Sequence, residues 1–191
     1  EGDNFDHKQS LSDVAMTSNT QKSPIIRIVE GAYPDHLDVD GMAAFLPENL
    51  SWQGPVNTVL LEQVGEELDK YILEHIHIPK SGTAFVVPKG IWTGPRILFA
   101  IVPNWDDGME DEDRALKKCT RSLLQLAEEE KLKSLAIPAL GASRNDYPLR
   151  RAARLVMSMI YEHNFVSLNE VRIVCKTTQM MQAYKDVAAL L

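Results

Sequence analysis

Apolar and polar positions change period several times along this chain, and each change marks an element. Residues 25–30 (IIRIVE) alternate, with Ile26 and Ile28 against Arg27 and Val29, as a half-buried strand does, and Gly31 stops the run. Residues 37–46 (LDVDGMAAFL) turn apolar toward their end, which predicts a buried strand closed by Pro47. Between Val56 and His75 the positions Val56, Leu60, Val64, Leu68, Tyr71, Ile72 and His75 recur every three or four residues, the period of one long helix in which Gly65 is a slight weakness. Residues 83–87 read as a strand ending at Pro88, and 96–102 (RILFAIV) as a central strand covered on both faces. A helix over 112–132 places Leu116, Cys119, Leu123, Leu126 and Ala127 inward and the run Glu128, Glu129, Glu130 in water. Residues 171–175 (VRIVC) form a further strand, and 178–191 a closing helix with Met180, Tyr184, Val187, Ala188 and Leu191 on one face.

The most informative stretch is 134–160. A short apolar run at 135–137 suits a buried strand, the small polar residues 141–146 can only be a loop, and Pro148 opens a helix, where a fixed φ and a missing N–H are tolerated. Leu149, Ala152, Ala153, Val156, Met157 and Ile160 then fall on one face, with Arg150, Arg151, Arg154 and Ser158 on the other. A loop that leaves a parallel strand for a helix N-terminus gathers backbone N–H groups where the helix dipole favours an anion, and phosphate is the usual guest. Strands alternating with helices predict an α/β fold of three layers. Residues 24–191 are the expected domain, and the polar residues 1–23 a flexible tail.

Composition narrows the function. The 191 residues suit one domain, with 45% hydrophobic residues and no apolar run near the ~20 that a bilayer span needs, so no membrane partner is expected. A net charge of −7 argues against nucleic acid as a partner. Two cysteines, Cys119 and Cys175, make neither a disulfide framework nor a zinc site, and a cytoplasmic location is expected. Six carboxylates crowd residues 106–113, but without the spacing of a calcium loop they read as an acidic helix start. His75, His77 and His163 read as surface or helix-capping residues, and Cys119 as core. Neither a metal nor a cofactor is implied.

The stretch IPALGASRNDYPLRRAARL resembles the second phosphate-cradling loop of the macro domain family, with the match carried by Pro138, Ala139, Leu140, Gly141, Tyr147 and Pro148. Gly31, Val39, Asp40 and Gly41, the stretch QGPVNTVLLEQVGEEL from Gln53, and the segments VPNWDDG and EEEKLKSLAIPALG are similar to the rest of the family's course. The resemblance implies a three-layer α/β/α fold with a mixed central sheet that binds ADP-ribose or a related nucleotide, free or attached to a protein. Some members hydrolyse ADP-ribose links.

Residue by residue, the resemblance implies a ligand-binding set of Ala32, Asn49, Gly54, Val56, Asn57, Gly141, Ala142, Ser143, Arg144 and Asn145. The sequence departs from the family at chemically active places. Ala32 stands where an acidic residue contacts adenine, with Asp35 or Asp38 as nearby substitutes, and Ala44 and Pro47 stand where two asparagines belong. Gly54 followed by Pro55 is what remains of a glycine run, Ser143 and Asp146 replace glycines, and Asn145 replaces an aromatic residue. Three functions stay open: a binding module without catalysis, a divergent ADP-ribosyl hydrolase using a carboxylate such as Asp35 or Glu48, and an interaction domain that has lost nucleotide binding.

Overall fold

The apolar run at 96–102 lies inside a sheet, as its composition requires. In the computed structural model, which describes residues 23–36, 38–103, 110–141 and 147–191, Arg96–Val102 forms β4 with its five interior positions buried. Around it stand β1 (Ile25–Glu30), β2 (Gly41–Pro47), β3 (Ala84–Val86), β5 (Ser134–Pro138) and β6 (Glu170–Cys175), in the order β1-β6-β5-β2-β4-β3. Every pairing is parallel except β3 with β4, so the sheet is mixed.

Alternation along the strands sorts the core into two layers. Ala43 and Phe45 of β2 and Leu98 and Ala100 of β4 face helices α3 (Glu110–Glu129), α4 (Leu149–Glu162) and α5 (Thr178–Ala188). Met42, Ala44 and Leu46 of β2, with Ile97, Phe99 and Ile101 of β4, face α1 (Pro55–Val64) and α2 (Glu66–His75) through Leu60, Leu68 and Ile72. The architecture is therefore three-layered, α/β/α. Each fully buried Leu or Ile adds about 1.5–3 kcal/mol to the apolar driving force.

Several sequence expectations change in detail. The single helix expected over 56–75 is two, because Gly65 adopts φ 96° between them. Glu66, Glu67 and Asp69 crowd the first turn of α2, where the dipole favours negative charge. The strand expected from Leu37 begins at Gly41, since Asp40 instead clasps the approach to β5: its N–H donates to Ser134 Oγ (2.8 Å) and its Oδ2 accepts from Lys133 N (2.8 Å). The closing helix ends at Ala188, leaving Leu191 55% exposed. α4 buries Leu155 and Met159 besides its expected stripe, because α3 packs beside it.

Of the three glutamates expected in water, Glu129 is exposed but Glu128 and Glu130 are bound. Glu128 accepts hydrogen bonds from the N–H groups of Val166, Ser167 and Leu168 and from Ser167 Oγ, and lies 3.1 Å from His163 Nε2. Glu130 pairs with Arg96 at 3.1 Å. His75 and His163 do stand at helix ends, and Cys119 is core, its thiol donating to Ile101 O. Burial pushes both cysteine thiols up to about 12, so neither is a nucleophile. Among the described residues no helix is long and apolar enough to cross a membrane, and no cluster of His, Cys, Asp and Glu could hold a metal ion. The tail, with its expected flexibility, lies outside the described residues but for Ser23.

Candidate functional site

β2 and β5 are neighbours that part company. They pair only at Gly41 with Leu135 and Met42 with Ala136, whereas β2 keeps seven pairs with β4, and β5 five with β6. Toward their C-terminal ends the two strands diverge. Here the chain order also switches direction across the sheet, the place where open α/β sheets receive ligands. Tyr33, in a 3-10 turn at Tyr33–His36, reaches the point of divergence: its hydroxyl lies 2.6 Å from Ala43 O and 2.9 Å from Ala136 O, sharing one proton between the two strands. Burial pushes this phenol well above its ordinary pKa, so it remains a donor.

The loop after β2 leads into α1. Asn49 Oδ1 accepts from Ser51 N (3.0 Å), an Asx turn, and Leu50 takes φ 58°. Glu48 Oε1 accepts from Ser81 Oγ (2.6 Å) and Ser81 N (3.3 Å), which ties this carboxylate to the segment before β3. Trp52 donates its indole N–H to Asp69 Oδ1 (2.7 Å) and packs edge-on against Phe99. Asn57, 5% exposed, braces the loop: Nδ2 donates to Phe45 O (2.7 Å) and Gln53 O (3.1 Å), joining the end of β2 to the start of α1. Gly54 is the N-cap of α1 at φ 87°, with no side-chain cap, no acidic residue in the first turn, and open space where a Cβ would stand.

The loop after β5 is built in parallel fashion. Tyr184 Oη donates to Leu140 O (2.7 Å) and accepts from Leu140 N (2.9 Å), pinning the chain as it leaves the strand. Gly141 takes φ 119°, and a Cβ there would lie 2.7 Å from Leu149 Cα. Its glycine is thus required by the junction with α4. Tyr147 is buried and donates to Glu112 O (2.6 Å), after which Pro148 is the N-cap of α4, again with no side-chain cap and no acidic residue in the first turn. Two helix N-termini whose N-cap residues offer no side-chain cap therefore flank the divergence, each with N–H groups lacking intrahelical acceptors and a positive dipole end.

Of the residues singled out in the sequence, Asn49, Gly54, Val56, Asn57 and Gly141 are on these loops or in the first turn of α1, and Ala32 lies between β1 and the Tyr33–His36 turn. Ala32 is exposed and Val56 is half-buried in the first turn of α1. Ala142, Ser143, Arg144, Asn145 and Asp146 lie outside the described residues. Asp35 is exposed beside Ala32, while Asp38 is paired with Arg172 Nη1 at 2.6 Å. The bracing roles of Tyr33 and of Tyr184, the latter read from the sequence only as part of a helix face, escaped sequence reasoning; an aromatic residue shortly after the strand-stopping glycine is the one local hint of the first.

Fold and topology define a three-layer α/β/α module of one particular kind. Residues 47–156 match the Macro domain family, and the chain belongs to that family. It is 29% identical over 160 residues to an uncharacterized protein of Thermotoga maritima, a match covering 80% of this chain but only 26% of that protein, so the chain spans about a quarter of that relative's length. It is 26% identical over 164 residues to the macro domain-containing protein TTE0995 of Caldanaerobacter subterraneus, covering 83% of this chain and 93% of that one. Among solved structures, the Oceanobacillus iheyensis macrodomain with ADP superposes with a TM-score of 0.71 at 19% identity, covering 80% of this chain and 84% of that one. A glycine-to-valine mutant of the same macrodomain, with ADPR, gives 0.73 at 16% identity, with coverages of 86% and 91%. At such identities these two superpositions speak for the fold.

Proposed function

We propose that this chain binds ADP-ribose or a related nucleotide through its diphosphate, at the mouth between β2 and β5, and does not hydrolyse it. The observation that carries the reading is the pair of helix N-termini, at Gly54 and Pro148, on either side of the diverging strands, whose N-cap residues make no side-chain cap and whose first turns hold no acidic residue. The ADP and ADPR bound in the Oceanobacillus iheyensis structures are ligands of the same chemical class. Arg144, in the loop between Gly141 and Tyr147, supplies a bidentate phosphate partner.

The binding reading is preferred over hydrolysis because the candidate polar groups already have other work. Glu48 serves Ser81, Asn49 serves Ser51, and Ala44 and Pro47 offer no amide side chain. The remaining carboxylate, Asp35, is exposed. A thermal-shift panel tests the reading: ADP-ribose and ADP should raise the melting temperature in a concentration-dependent way, adenosine should not, and no ADP-ribose should be released from a modified protein. Equal shifts with adenosine would show that the diphosphate is not what is held.

A further inference from the structure

On this acidic chain, cations are concentrated on one outer surface. Between Arg114 and Ala127 of α3, and between Leu149 and Tyr161 of α4, there is no carboxylate at all, while Arg114, Lys117, Lys118, Arg121, Arg150, Arg151 and Arg154 are present. The two helices lie side by side, cross-linked in order by Arg151 to Asp113, Arg121 Nη2 to Met159 Sδ (3.7 Å) and His163 to Glu128 (3.1 Å). Two of the cations are neutralised, Arg114 by Asp111 and Arg151 by Asp113, and Lys118 lies with its stem beside Gly82. Lys117, Arg121, Arg150 and Arg154 are exposed and have no carboxylate partner among the described residues.

Helix stability does not explain this arrangement. Lys117 and Arg121 are like charges one turn apart, as are Arg150 and Arg154, and each such pair weakens its own helix. Arg150 and Arg151 also sit in the first turn of α4, at the positive end of the dipole, where carboxylates are favoured. We propose that this surface of α3 and α4 docks an acidic segment of a partner polypeptide. The partner's class follows from the shape of the patch. Lys117 to Arg121 spans roughly 6 Å of helix, and adjacent helices lie about 8–10 Å apart, so the patch suits about three to five residues of extended chain at ~3.3 Å each. Asp111 and Glu112 bound it at one end, Glu129 and Glu162 at the other. A nucleic-acid backbone, charged without interruption, would run onto those carboxylates, whereas a peptide carries charge only where its sequence places it.

The test is fluorescence anisotropy with a labelled peptide holding a run of glutamates between Gly and Ser residues, and with its glutamine counterpart. The glutamate peptide should bind at least about tenfold more tightly, weakening as salt is added. The double variant Arg150→Glu/Arg154→Glu should lose that preference, and Lys70→Glu, exposed on α2 in the opposite layer, should keep it. Because the double variant places a carboxylate in the first turn of α4, at the positive end of the dipole, its melting temperature should stay level or rise, which separates lost docking from lost folding. Equal affinity for the two peptides, full binding by the double variant, or tighter binding of an oligonucleotide than of the glutamate peptide would each overturn the proposal.

Discussion

Tyr33 holds together the two strands whose separation makes the site. Its hydroxyl is the donor shared by Ala43 O and Ala136 O, both buried. Tyr33→Phe keeps the ring but leaves those carbonyls without it, and should lower the free energy of unfolding by about 1–3 kcal/mol, read as a fall in the urea midpoint at unchanged slope. Asn57 acts similarly for the loop between β2 and α1, through Phe45 O and Gln53 O. Neither role is legible in the sequence: the Tyr33 partners lie 10 and 103 residues away, and nothing in the spelling of a chain signals a bond to a distant backbone carbonyl. Family resemblance marks Asn57 as a ligand residue, and the structure finds its amide donating within the protein. Gly141 is marked by the same resemblance as part of a phosphate loop; the positive φ and the nearby Leu149 Cα give its glycine a second reason, internal to the fold.

At the scale of elements, the long apolar periods are legible and their interruptions less so. The run at 96–102 and the stripe from Leu149 to Ile160 fall where period and length place them, because burial on one or two faces leaves its mark on every turn. The break at Gly65 is hidden because apolar spacing continues across it, and only the acidic first turn of α2 betrays a second start. The role of Glu128 is hidden too, since a run of three glutamates ordinarily faces water. Burial pushes its carboxyl up, but the bonds from Ser167, His163 and Val166 outweigh this and hold it below the ordinary carboxylate range. A carboxyl depressed in the folded state adds stability above its unfolded pKa, and that stability is lost as pH falls through the folded value. Glu128→Gln should therefore cost about 1–3 kcal/mol near neutrality. Urea denaturation in acid, below the carboxylate range, should show the difference from the parent protein shrinking.

For the whole molecule, the sheet order β1-β6-β5-β2-β4-β3 places the loops after β2 and β5 at one mouth, and the proposed binding of a diphosphate rests on the helix N-termini they deliver. The three-layer class is legible from the alternation of strand and helix periods, and the family from residues around 138–148. The divergence of β2 from β5 is not, because register between distant strands leaves no local trace. Pro148 offers the most direct measurement of the central claim. It is exposed at the N-cap of α4 with φ −53° and ψ 134°, an extended conformation that an N-cap aspartate adopts readily. Pro148→Asp would cap α4 with a carboxylate of its own, occupying the N–H groups and opposing the charge of a diphosphate while supporting the helix. Calorimetric titration of ADP-ribose should show binding to the parent protein and affinity reduced about tenfold or more in Pro148→Asp, with no loss of thermal stability. Undiminished affinity in the variant, or no heat of binding in the parent, would contradict the assignment of this mouth as a diphosphate site.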